Sequence, residues 1–87
     1  MNMNQKAFGQ VNKSQNYETP DLPMAALISI YLPLEGVVFH GGPKAQFVFK
    51  YSAELDRLIE GYWHGDLLVE PKTYFNALRV IKARLYQ

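Results

Sequence analysis

Three features of the sequence predict one small α+β domain. The expected order is a helix, a β-hairpin, then two helices packed on the hairpin, all preceded by a polar N-terminal arm. First, 87 residues with 48% apolar and 14% aromatic side chains suit a single core. Second, two alternating runs, residues 34–40 and 45–51, flank His40-Gly41-Gly42-Pro43-Lys44, and period-two alternation around a glycine-bearing turn marks a hairpin. Third, three stretches carry apolar residues at helical spacing and open on a capping residue or a proline.

Residues 1–19 stand apart in composition. Asn2, Asn4, Gln5, Gln10, Asn12, Gln15 and Asn16 dominate, with Phe8, Val11 and Tyr17 as the larger apolar side chains beyond the methionines. So little apolar surface cannot offset the entropy of ordering, which predicts an arm ahead of a compact domain at 20–87. The domain opens with Asp21, a good N-cap, and tolerates Pro23 in the first helical turn. Pro33 ends this helix, because the residue before a proline is pushed out of the α region. In the second hairpin strand Phe47, Phe49 and Tyr51 share one face, with Gln46, Val48 and Lys50 on the other.

Ser52 then caps a second helix whose stripe is Leu55, Leu58, Ile59 and Tyr62, with Gly65 suited to its left-handed C-terminal position. Leu67, Leu68 and Val69 read as an extended link, with the makings of a third strand. Pro71 starts the last helix. Its apolar stripe is Tyr74, Ala77, Leu78, Ile81 and Leu85, and at about 100° per residue Lys72, Asn76, Arg79, Lys82 and Tyr86 gather opposite. The expected core is Leu27, Phe47, Phe49, Leu55, Leu58, Ile59, Leu78, Ile81 and Leu85, three helical stripes meeting one strand face.

The formal charge of +1 hides an asymmetry. Residues 71–87 carry Lys72, Arg79, Lys82 and Arg84 and no acid, whereas the rest of the chain has five basic residues against eight acids. A positive C-terminal element therefore sits on a mildly acidic body. The absence of cysteine excludes disulfides and thiolate metal sites. No signal-peptide run opens the chain. The longest apolar stretch, residues 24–34, is interrupted by Ser29 and Pro33 and is too short to span a bilayer, so a cytoplasmic location is expected.

Several strings are distinctive. Asp21-Leu22, Ala25-Ala26, Phe47-Val48-Phe49, Glu54-Leu55, Tyr62-Trp63-x-Gly65, Val69-x-Pro71 and Tyr74-x-Asn76-Ala77-Leu78, then Lys82-x-Arg84-Leu85-Tyr86, run through residues 21–86. This pattern resembles a small bacterial and phage family of domains of unknown function. The resemblance implies an accessory role in phage or mobile elements and carries no characterised activity. The chain departs from the pattern twice. Glu70 replaces an Asp before the proline, which predicts a weaker cap, and Leu32-Pro33 replaces a glycine, which predicts a rebuilt helix-to-strand turn.

Candidate chemistry is sparse. His64-x-Asp66, with His40 and Glu35 elsewhere, is the nearest approach to a metal site, and it lacks three ligands on fixed neighbouring elements. Ser14, Ser29 and Ser52 fall in the arm, an apolar helix and a cap, none of them a nucleophile's setting. Glu54, Asp56 and Glu60 belong to a solvated helix face. Gly41-Gly42-Pro43-Lys44 lacks the spacing and following helix of a phosphate loop, and residues 47–51 lack the glycine and aromatic positions of an RNA-recognition strand.

These observations predict no enzyme, no cofactor and no metal. The expected function is that of a non-enzymatic accessory protein of a bacterial mobile element or phage, acting through protein contacts, with inhibition of a host complex as one such role. Self-association as a homodimer is expected, because a small core without disulfides gains from a second copy, with Phe8, Val11 and Tyr17 of the arm in the contact. The alternative is a small nucleic-acid-binding module using Lys72, Asn76, Arg79, Lys82 and Tyr86. No membrane partner is expected.

Overall fold

The structure, a computed structural model, describes residues 16–86. Its elements run β1 (Asn16–Thr19), α1 (Leu22–Tyr31), β2 (Leu34–Phe39), β3 (Ala45–Lys50), α2 (Ala53–His64) and α3 (Pro71–Arg84). The predicted α+β architecture is present, with one additional strand and one fewer at a different place. Residues 16–19, expected within the polar arm, form an edge strand antiparallel to β3, giving a three-stranded sheet of order β1-β3-β2. Residues 67–69, with the makings of a strand, are an irregular link between α2 and α3.

Register explains which side chains reach the core. Tyr17, Phe49 and Leu34 form one row across the sheet, and Thr19, Phe47 and Val37 form the next. A register shift between Leu34 and Gly36 marks a bulge at the start of β2, which keeps Val37 on the inner face. Thr19 is buried and its Oγ1 accepts from the Asp21 N–H at 3.1 Å, so the strand hands directly to the cap of α1. Val48 points to the outer face yet is buried too, a correction to the simple in–out alternation. It lies between register partners Glu18 and Gly36 on the central strand. On that face His40 Nε2–H donates to Glu18 Oε1 at 2.6 Å, so the end of β2 is joined to β1 across β3.

α1 lies at the centre of the domain. Met24, Ala25, Ala26, Leu27 and Ile28 are all buried, which covers the helix on every side. Asp21 Oδ1 accepts from Met24 N–H at 3.0 Å as the cap, and the half-buried Ser29 hydroxyl donates to Ala26 C=O at 2.8 Å. At the rebuilt exit, Leu32 turns extended while its N–H still donates to Ile28 C=O, so no left-handed residue is needed before β2. α1 contacts β1, α2 and α3, and its small Ala25 and Ala26 permit the close, extensive packing of α3.

α2 is capped by Ser52, whose Oγ accepts from Leu55 N–H at 3.0 Å, and it ends at Gly65 with φ 73°. That positive φ is the left-handed geometry that glycine adopts without strain. The hairpin turn uses Gly41 in the same region, φ 84°. Of the nine expected core residues, Leu27, Phe47, Phe49, Leu55, Leu58 and Ile81 are buried. Ile59, Leu78 and Leu85 are half-buried and packed on that cluster. Among the described residues, no helix is long and apolar enough to cross a membrane.

Candidate functional site

The surface offers two features on α2, the link and α3. The first is an apolar groove of about 410 Å³. The second half of α2 gives Gly61 and Tyr62, the link gives Leu67 and Val69, α3 gives Tyr74 and Phe75, and Leu27 of α1 contributes from behind. Gly61 makes this arrangement possible, since a Cβ there would stand 2.9 Å from Leu67 Cγ. The extended link sends Leu67 and Val69 inward and leaves Leu68 between them 94% exposed. Phe75 is 62% exposed at the rim.

The groove's titratable groups are two phenols. Burial pushes the Tyr62 and Tyr74 hydroxyls above the ordinary tyrosine value, and the negative charge of Asp21 adds to both shifts. Both therefore remain protonated donors at neutral pH, and Tyr74 donates to Pro23 C=O at 3.3 Å. Such groups orient a visitor by hydrogen bonds and do not abstract protons.

The floor of α3 is set by its cap. Glu70, expected to cap weakly, accepts at Oε1 from both Thr73 N–H at 2.8 Å and Thr73 Oγ1–H at 2.9 Å. The longer side chain thus reaches the same donors that an Asp would. These hydrogen bonds hold the Glu70 carboxyl below the ordinary glutamate range. A carboxyl lowered in the folded state stabilises above its unfolded pKa, and that contribution is lost as pH falls through the folded value. Glu70→Gln is therefore expected to give a flatter stability profile than the native chain below the ordinary glutamate pKa. Urea melts across that acidic range check the slope.

The second feature is the outward face of α3. Lys72, Asn76, Arg79, Lys82 and Tyr86 are all exposed, opposite the stripe of Tyr74, Ala77, Leu78, Ile81 and Leu85 that packs inward. Four of the five lie on α3 at helical spacing, and Tyr86 stands in the turn just after Arg84. Arg79 Nη2 donates to Asn76 Oδ1, one turn earlier on the helix. Among the described residues the one basic side chain within reach of a carboxylate is His40, beside Glu18 on the sheet, so no carboxylate pairs with the cations of α3. Arg84 lies on another side, half-buried in a hollow with Ser29, Leu34 and Val80.

The remaining sequence candidates are scattered. Tyr17 packs within its own domain, its hydroxyl 3.4 Å from Met24 Sδ, and burial raises its pKa. Phe8 and Val11 lie outside the described residues. His64 ends α2 in the open and His40 is paired with Glu18. Among the described residues no three His, Asp or Glu side chains are grouped to hold a metal. The groove escaped the sequence reading because its walls come from three helices and a link. Its one local signal was the run Leu67-Leu68-Val69, too apolar for an exposed connection.

Fold and surface together define a small α+β domain that carries an apolar groove and a cationic helix face. The chain belongs to the DUF5659 family of domains of unknown function, whose model matches residues 14–87. That match takes in β1, so the family's extent and the three-stranded sheet agree. No curated protein and no solved structure matches the chain.

Proposed function

We propose that this chain is a non-enzymatic protein-interaction module that binds a second copy of itself through the groove between α2, the link and α3. The carrying observation is Leu68, 94% exposed beside an apolar groove of about 410 Å³. A projecting leucine and an apolar hollow on one face are self-complementary. In a two-fold pair each Leu68 enters the other copy's groove, as isologous contacts require. The biological setting we propose is an accessory role in a bacterial mobile element or phage, which is what the family resemblance implies; a cytoplasmic location and, as one form of that role, inhibition of a host complex are part of the proposal.

Light scattering and sedimentation on three chains test this reading. The full-length chain and a chain beginning at Ser14 should both be dimers, and Leu68→Asp should be a folded monomer. A monomeric full-length chain at high micromolar concentration would overturn the reading. A dimer lost only when residues 1–13 are removed would move the contact to the arm.

A further inference from the structure

We infer that the outward face of α3 binds single-stranded nucleic acid, with Lys72, Arg79 and Lys82 on the phosphates and Tyr86 stacked on a base. This goes beyond self-association through the groove and does not rest on it. The argument starts from charge. Residues 71–87 contain four cations and no acid, and no carboxylate pairs with them among the described residues. Lys82 suits the negative end of the helix dipole. Lys72 does not, because it stands in the first turn, where a cation is least favourable to the helix itself. Its place is explained by the stripe it completes.

Geometry selects one strand of polyanion. Lys72, Arg79 and Lys82 follow one side of α3 over about 15 Å, and Tyr86, in the turn after Arg84, extends the line to about 20 Å. At a stacked rise of about 3.4 Å that length matches roughly six nucleotides. A helix seated in the major groove of a duplex lies between two backbones and needs cations on both flanks. Here the flank bearing Thr73 and Val80 is uncharged, and Arg84 beyond it is half-buried beside Ser29 and Leu34. A single line of charge therefore serves a single backbone.

The local detail fits the same ligand. Asn76 holds one Arg79 nitrogen and so fixes the guanidinium plane, leaving its other N–H groups to face a phosphate. Ala83, exposed between Arg79 and Tyr86, keeps the surface low enough for a sugar and base to approach. The Tyr86 ring is 86% exposed, and bases of any sequence stack on such a ring. The expected binding is sequence-tolerant and salt-sensitive.

Fluorescence anisotropy with a labelled oligothymidylate of about 15 nucleotides tests the inference. Three phosphate contacts predict a slope of log affinity against log salt near −2, and each of Lys72→Ala, Arg79→Ala and Lys82→Ala should flatten it by about 0.7. Tyr86→Ala should weaken binding by about 5- to 150-fold and leave the slope unchanged. Lys44→Ala, on the hairpin turn, removes equal charge and should leave both unaltered. The inference is overturned if the folded protein does not bind at low salt, or if the α3 variants bind as the native chain does. It is also overturned if a duplex of equal length binds as tightly, or if polyglutamate displaces the oligonucleotide at equal charge, which would assign the face to an acidic protein. The Leu68→Asp monomer should still bind, so failure of the dimer and failure of this inference are separate results.

Discussion

Phe49→Ala is expected to lower stability by about 3–5 kcal/mol and the melting temperature by roughly 12–40 °C for a domain of this size. Phe49 is fully buried on the central strand, in one row with Tyr17 and Leu34. Truncation removes a ring that all three strands help to enclose, and the fixed register leaves little room for collapse into the void. Domains this small hold roughly 5–15 kcal/mol in total, so the variant stands near the limit of folding. Phe39, on β2 but more than half exposed, supplies the control. Phe39→Ala should shift the melt far less. Equal shifts for the two would remove Phe49 from the centre of the core.

Ile81→Ala comes next, with an expected loss of about 2–5 kcal/mol. Ile81 is the fully buried side chain of α3, which packs chiefly on α1. The loss should be local in character. α3 should exchange its amide hydrogens much faster, while β3 and the middle of α1 retain protection at low denaturant. Hydrogen exchange read by mass spectrometry distinguishes this from uniform weakening. Uniform loss of protection in all elements would show that α3 and the sheet unfold as one unit.

The sequence made the helices legible because their ends are chemically explicit. Asp21, Ser52, Gly65 and Pro71 each occupy the terminal position their chemistry predicts. The hairpin was legible for the same reason, through its turn and the alternation of Phe47 and Phe49. β1 was not. Asn-Tyr-Glu-Thr does alternate, with Tyr17 and Thr19 inward, but four residues in a polar tract give no local reason to be a strand. What makes it one is β3, a partner far away in sequence. Residues 67–69 show the converse: without an adjacent strand to pair with, Leu67 and Val69 line a groove between helices and Leu68 projects outward. The cationic face was readable from spacing alone, because one helix carries four of the five side chains and Tyr86 follows directly after it.

The strand order has a consequence for the newborn chain. β1 is made before α1, yet its partner β3 lies roughly 30 residues further along, and ribosomes add about 5–20 residues per second. For some seconds Asn16–Thr19 has nothing to pair with, and α1, apolar on every side, leaves the exit tunnel before the sheet that will cover it. The hairpin closes locally and quickly once residue 50 emerges. Only then can the first-made strand join the last-made one and enclose Tyr17. The most vulnerable interval in the life of this protein therefore falls between the emergence of α1 and that of the later elements that cover it, when its stickiest helix stands bare.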